Sequence, residues 1–134
     1  MIDREDAARL FNLAKVDLKA IRNMLDKERF EDSVFGFHAQ QAVEKALKAW
    51  LSLRRIAYPK THDLRVLMSL LEGSGEEDSR RFEGLVDLTD FAVQFRYDSP
   101  AFIEGLNRPS LISEVESVMS HVGSLLKSAE DRAV

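Results

Sequence analysis

The sequence contains no cysteine, which excludes disulfides and thiolate-ligated metal sites. Only three prolines and six glycines occur among 134 residues, so few positions interrupt a helix. The histidines lie far apart and in no metal-ligand spacing, so we expect neither a structural metal nor a bound cofactor. No apolar run reaches about 18 residues, so we expect no membrane span. The charged opening MIDREDAARL does not fit a secretory signal, and we expect a cytoplasmic protein.

What the chain does contain favours one all-α domain. Hydrophobic residues make up 45% and charged residues 31%, a balance that allows a buried core in a chain of this length. We expect a single domain over residues 1–134 with its core at about 5–127. The formal net charge of −4 argues against a wholly basic nucleic-acid-binding surface but permits a local basic site.

Apolar residues recur at helical spacing in five segments. The pattern predicts helices at about 3–27, 32–53, 64–71, 80–95 and 111–129, with Asp3 capping the first and Thr61 capping the short third helix. Pro100, Gly105 and Pro109 interrupt the long connection that follows the fourth helix, and connections this long are often functional. We therefore predict an up-and-down antiparallel bundle of four main helices plus one short helix.

Short connections make successive helices antiparallel neighbours. On that basis one end of the bundle should hold the starts of the first, third and fifth helices and the ends of the second and fourth. Cations beside helix N-termini can form an anion site, although acidic residues near this end would dilute the charge. The cations and the histidine expected there are Arg54, Arg55, Lys60, His62, Arg96 and Arg108. The alternative is structural, with His62 packing over the turn that caps the third helix.

A row of polar residues follows one side of the second helix: His38, Gln41, Lys45 and Lys48, with Glu44 at its margin. We call this set the polar stripe. One interpretation is a solvated flank with a Glu44–Lys48 ion pair; the other is a seam that faces a second subunit. Apolar residues cover well over a third of this helix, with Phe37 and Leu47 outside the central face, and this excess predicts a homodimer.

Three blocks carry a family resemblance. Residues 37–49 read FHAQQAVEKALKA, residues 58–64 read YPKTHDL, and Phe95-Arg96-Tyr97 precedes Pro100. In order and spacing these blocks resemble the HEPN family of nucleotide- and RNA-associated proteins. The resemblance implies a bundle like the substrate-binding subunits of nucleotidyltransferases, commonly a homodimer. It also implies frequent pairing with a minimal nucleotidyltransferase, often as a toxin–antitoxin couple.

Many proteins of that family are metal-independent ribonucleases whose motif is an arginine, four to six residues and a histidine. The chemistry needs a cation for the scissile phosphate and an imidazole as general acid or base. The matching block, Arg96 to Phe102, contains no histidine, so we assign no catalytic residue and incline against an enzyme. Arg55 and His62 are separated by six residues, but they straddle an interhelical loop, and we interpret their spacing as coincidence.

The sequence thus favours an accessory protein that binds a nucleotide or substrate for a minimal nucleotidyltransferase. Candidate ligands of a phosphate or nucleotide are His62, Arg96, Tyr97, Lys60 and Arg55. Two alternatives stay open: a metal-independent RNase toxin that uses His62 with Arg96 or Arg55 across a dimer, and a dimeric interaction module without a ligand. We expect His121 at a surface or interface with no special role, and we expect the following aromatic residues in the core: Trp50, Phe82, Phe91 and Phe95.

Overall fold

A computed structural model describes residues 4–92 and 106–132, and those residues contain helices and no strand. The elements are α1 (Arg4–Arg22), α2 (Asp32–Leu53), α3 (Leu64–Gly73), a 3₁₀ segment (Glu77–Leu88) that continues into helical residues 89–92, and α4 (Arg108–Arg132). The prediction of an all-α helical bundle is confirmed. Asp3, proposed as the first cap, lies outside the described residues.

α1 ends earlier than its apolar periodicity indicated. Asn23 and Met24 donate backbone hydrogen bonds three residues back, to Ala20 and Ile21, which tightens the last turn. Asp26 then organises the turn that follows, since its side chain accepts from the backbone N–H of Glu28. The prediction of a helix to about residue 27 was therefore wrong, and Leu25 is an exposed residue of the turn rather than a core position.

α2 has the predicted bounds and lies at the centre of the bundle. Its small core residues are fully buried and allow close approach by neighbouring helices: Ala39, Ala42, Ala46 and Ala49. Leu47, expected to be uncovered, is also fully buried, because α3 and the 3₁₀ segment pack against α2. Phe37 remains partly exposed. The argument for a dimer from uncovered apolar residues of α2 is therefore wrong for Leu47.

The connection from α2 to α3 reverses the chain before α3 begins. His62 accepts a hydrogen bond from Gln40 in the middle of α2, whereas Glu76, just beyond α3, pairs with Arg54 at the end of α2. α3 therefore runs in the same direction as α2. The four main helical elements still alternate in direction, but the predicted grouping of helix ends was wrong because it treated α3 as antiparallel to α2.

Asp63, not Thr61, is the N-cap of α3. The Asp63 carboxylate accepts from the backbone N–H of Arg65 at 2.9 Å, as capping residues do. Thr61 lies one step further out, where its hydroxyl accepts from the Asp63 N–H at 3.0 Å. The two side chains together define the turn on which His62 lies.

The fourth predicted helix is largely a 3₁₀ helix, and its sequence explains why. Apart from Thr89, its buried residues recur every three positions: Ser79, Phe82, Leu85, Leu88 and Phe91. A 3₁₀ helix has three residues per turn and keeps such a series on one face, whereas an α-helix would rotate it away from the core. The three-residue period was the signal that the α-helical interpretation overlooked.

α4 begins beside the turn between α1 and α2. Arg108, only 1% exposed, donates to the carbonyl oxygens of Met24 at 2.7 Å and Phe30 at 2.6 Å and to the Asp32 carboxylate at 2.9 Å. Its guanidinium also lies over the Phe35 ring at 5.0 Å. This arginine satisfies backbone carbonyls at the end of the bundle opposite Arg54, so it contributes to folding and not to the predicted anion site.

Candidate functional site

Glu44 is the centre of a buried polar cluster between α2 and the start of α3. One carboxylate oxygen contacts Nδ1 of His62 at 2.9 Å and accepts from Gln40 at 3.0 Å, while the other accepts from Lys48 at 3.0 Å. Gln40 is in turn bonded to Gln41. We call Glu44, Gln40, Lys48 and His62 the Glu44 cluster.

The Glu44 carboxylate is charged despite its burial. Burial by itself disfavours the charged form, but hydrogen bonds from Gln40, His62 and Lys48, with the charge of Lys48, outweigh it and lower the pKa of Glu44. Three donors around one buried carboxylate make a fully satisfied site, which is the condition for burying a charge without a large penalty.

His62 is held from two sides and still reaches solvent. Gln40 donates a hydrogen bond to the backbone carbonyl of His62 at 2.9 Å, and the Glu44 carboxylate is hydrogen-bonded to Nδ1 of the imidazole ring. The side chain is 61% exposed. A carboxylate on Nδ1 fixes the ring orientation and leaves Nε2 as the nitrogen for a ligand or a proton.

A second cluster lies on the other side of the polar stripe. Asp17 of α1 accepts from Lys45 at 2.7 Å and contacts Nδ1 of His38 at 3.0 Å. We call these three residues the Asp17 cluster. Both lysines of the polar stripe therefore have a carboxylate partner within the chain. The Glu44–Lys48 pair of the first interpretation is present, but Glu44 is buried, so the stripe is more than a solvated flank.

The predicted basic cluster does not assemble as expected. Arg54 pairs with Glu76 at 2.6 Å, and Arg108 is buried at the opposite end of the bundle. Arg55 and Lys60 are exposed on the loop between α2 and α3. Arg96 and Tyr97 lie outside the described residues, so their predicted approach to His62 stays a prediction.

Arg55 has a conformational role. Its φ of 61° is left-handed, and Ile56 donates back to Leu51 at 2.9 Å while Arg55 donates to Ser52 at 3.1 Å. This pattern is the Schellman motif that ends many helices, usually with glycine at the left-handed position. Arg55 therefore closes α2 and redirects the chain toward His62.

Asp17 and Gln40 were missed by sequence reasoning. Asp17 lies among the apolar residues of α1, at the edge of its buried face, and Gln40 lies on the buried side of α2. A polar residue at a position that the helical period assigns to the core was the available signal. Its partner could not be identified without knowing how α1 and α3 pack on α2.

Comparison with protein families decides the identity of the domain. The model of the family described as HEPN domain matches residues 7–131, nearly the whole chain. The chain belongs to the HEPN domain family. Searches of curated proteins and of solved structures give no significant match.

The first two of the three sequence blocks that suggested the HEPN family touch each other. The first block lies on α2 and contributes Glu44, and the second forms the turn before α3 and contributes His62. The hydrogen bond between Glu44 and His62 joins them. In this HEPN domain the two blocks therefore form one polar site.

The described part of the HEPN domain offers no ready metal site. Within residues 4–92 and 106–132, no group of three or more histidine, aspartate or glutamate side chains could hold a metal ion. Over the same residues, no helix is long and apolar enough to cross a membrane. Trp50, Phe82 and Phe91 are buried as predicted, while Phe95 lies outside the described residues.

Proposed function

We propose that this HEPN domain is an accessory protein that binds partners and does not cleave RNA. In this proposal it forms a homodimer through the polar stripe of α2. It also holds a nucleotide phosphate at His62 on behalf of a minimal nucleotidyltransferase, the partner that the family resemblance implies. The observation that carries the proposal is the neutralisation of the polar stripe within the chain.

An RNA-binding surface needs cations that are free to meet phosphates. Lys45 is engaged by Asp17, and Lys48 is engaged by Glu44, at 2.7 and 3.0 Å. Such paired cations supply little net charge to a ligand. A partly buried stripe with satisfied charges is better suited to a protein surface than to a phosphate backbone.

The partner that fits this face is a second copy of the chain. Leu13 and Val16 of α1 are 41% and 65% exposed, and both lie within one helical turn of Asp17. In the proposal these two residues form an apolar edge of the dimer interface beside the polar stripe. In a twofold dimer each copy presents the same neutral stripe, so association leaves no charge unpaired.

Light scattering tests the dimer. We expect a particle of about twice the chain mass of 15.2 kDa at micromolar concentration. Leu13→Asp with Val16→Asp should give a monomer, whereas Leu25→Asp, at an exposed leucine of the α1–α2 turn, should not. A monomeric parent protein would refute this part of the proposal.

His62 is the centre of the proposed phosphate site. The Glu44 cluster fixes its ring, and Lys60 and Arg55 are exposed cations on the same loop. Lys48 contacts both Glu44 and the face of Tyr58, with Nζ 5.7 Å from the ring centre. In the proposal Arg96 and Tyr97 complete the ligand set.

Ligand-induced thermal stabilisation tests this site. We expect ATP or GTP at millimolar concentration to raise the melting temperature of the parent protein. His62→Ala should lose that increase, and Lys127→Ala, at an exposed cation of α4, should keep it. If ATP, GTP and short RNA all fail to raise the melting temperature, there is no phosphate site at His62.

Copurification from the native cell tests the nucleotidyltransferase partner. The proposal expects a small protein with a nucleotidyltransferase signature in the purified complex. Recovery of the homodimer alone would favour the alternative function, a dimeric interaction module.

One observation favours the RNase alternative. A histidine oriented by a carboxylate is the arrangement that a general acid or base uses. Metal-free incubation with RNA distinguishes the two functions, and we expect no cleavage above background. Cleavage that disappeared in both His62→Ala and Arg96→Ala would replace the accessory function with the enzymatic one.

A further inference from the structure

His121 is enclosed by aromatic rings at the junction of three elements. Its ring centre lies 4.8 Å from that of Trp50 on α2 and 5.8 Å from that of Phe82 on the 3₁₀ segment. Its side chain is 16% exposed, and Trp50 is fully buried. The expectation that His121 lies at an open surface or interface was therefore wrong, because the 3₁₀ segment covers this face of α4.

The Nε2 atom of His121 is buried and has no hydrogen-bond partner among the described residues. Its nearest acidic atom is Oδ2 of Asp78, at 4.0 Å, which is too far for a hydrogen bond. Asp78 is exposed and lies in the first turn of the 3₁₀ segment.

Charged residues lie on both elements that contribute an aromatic ring to this site. The 3₁₀ segment contributes Asp78 and also Arg81, whose guanidinium carbon lies 4.9 Å from the centre of the Phe82 ring. α2 contributes Arg54, one turn beyond Trp50, and Glu76 engages it at 2.6 Å. On α4 the neighbours one turn away are uncharged: Ser117, Val118, Ser124 and Leu125.

We infer that His121 and Asp78 form a proton-operated latch that fastens the start of the 3₁₀ segment to α4. An imidazolium at this position gains attraction from the two neighbouring aromatic rings, whose planes are tilted to its own, and from the aspartate carboxylate. Drawing the carboxylate in completes a hydrogen bond to Nε2 and immobilises the first turn of the segment. A neutral imidazole leaves Asp78 in solvent and that turn less firmly held.

The latch acts on a segment that also supports the proposed phosphate site. Thr89, immediately after the 3₁₀ segment, accepts from the backbone N–H of Leu64 at 3.1 Å, two residues from His62. The latch itself does not depend on nucleotide binding or on dimer formation.

Fluorescence of Trp50, the only tryptophan in the chain, reports the proton directly. Contact with a protonated imidazole quenches indole emission. We expect the emission of the parent protein to fall reversibly when the buffer is acidified from about pH 8 to about pH 5. His121→Phe, which keeps an aromatic ring, should abolish the change, and His121→Gln serves if the phenylalanine variant does not fold.

Hydrogen exchange distinguishes formation of the His121–Asp78 contact from protonation of His121 without that contact. After correction for intrinsic exchange rates, acidification from pH 8 to pH 5.5 should slow exchange in residues 77–82 by roughly two- to five-fold, the effect of one ion pair. Asp78→Asn should lose this slowing while its Trp50 emission still responds to pH. Asp87→Asn, at an exposed aspartate of the same segment, should retain both effects. Unchanged emission in the parent protein, or equal slowing in Asp78→Asn, would overturn the inference.

Discussion

The Glu44 and Asp17 clusters use the same components in different settings. Each has a carboxylate that holds one histidine through Nδ1 and one lysine. The Asp17 cluster joins two long helices directly, whereas the Glu44 cluster requires the loop of residues 54–63 to bring His62 back to the middle of α2. Glu44 has an additional donor in Gln40, and its histidine is the more exposed of the two. The comparison indicates that the Asp17 cluster fastens two helices, while the Glu44 cluster also fixes the orientation of an exposed imidazole ring.

The largest expected difference between the two clusters follows from removing each carboxylate in turn. Glu44→Ala leaves three donors without their shared acceptor, and we expect a loss of about 3 kcal/mol of unfolding free energy. Asp17→Ala leaves two partly exposed partners that water can reach, so we expect a loss of about 1 kcal/mol. Chemical denaturation measures both losses. Equal losses would show that the additional donor of the Glu44 cluster does not increase the contribution of that cluster to stability.

A packing contact of α2 that involves neither cluster provides a further loss of stability for comparison. The ring of Phe91 occupies the space that a Cβ at Gly36 would need. Because Phe91 is buried and cannot move freely, Gly36→Ala should cost about 2 kcal/mol. Gly84→Ala, where an added Cβ meets nothing within 4 Å, is the matched control and should cost little. A stable Gly36→Ala variant would mean that Phe91, just beyond the 3₁₀ segment, is not held tightly against α2.

The pH dependence of the unfolding free energy tests whether the charge of Glu44 stabilises the fold. Its folded-state pKa lies below the ordinary value of 4.5, so ionised Glu44 stabilises the fold above that value. This contribution is lost as the pH falls through the lower folded-state pKa. Glu44→Gln should therefore flatten the dependence of unfolding free energy on pH between about 6 and 3. An unchanged slope in denaturation experiments would show that Glu44 does not carry the stabilising charge.

The bounds of α2 and the all-α fold could be predicted because they depend on local periodicity and helix breakers. The direction of α3 could not, because it depends on how residues 54–63 fold back along α2. The buried partners of the polar stripe were also beyond a helix-by-helix analysis, since Asp17 meets His38 and Lys45 only across a helix interface. By contrast, the 3₁₀ segment had a readable signal in its three-residue period.

The smallest expected effect concerns the loop on which the Glu44 cluster depends. Arg55 adopts a left-handed conformation that glycine tolerates better. Arg55→Gly should therefore stabilise the protein by up to about 1 kcal/mol in thermal or chemical unfolding. A loss of stability would show that the arginine side chain, and not the backbone turn, is what the loop requires.

Cysteine cross-linking tests most directly the central claim that the polar stripe faces a second copy of the chain. Because the natural sequence has no cysteine, Gln41→Cys places a single thiol in the middle of the stripe. On mild oxidation we expect this variant to form a disulfide-linked species of about twice 15.2 kDa, while Ser120→Cys on the exposed side of α4 remains largely uncross-linked. Equal cross-linking of both variants, or none for Gln41→Cys, would contradict the account.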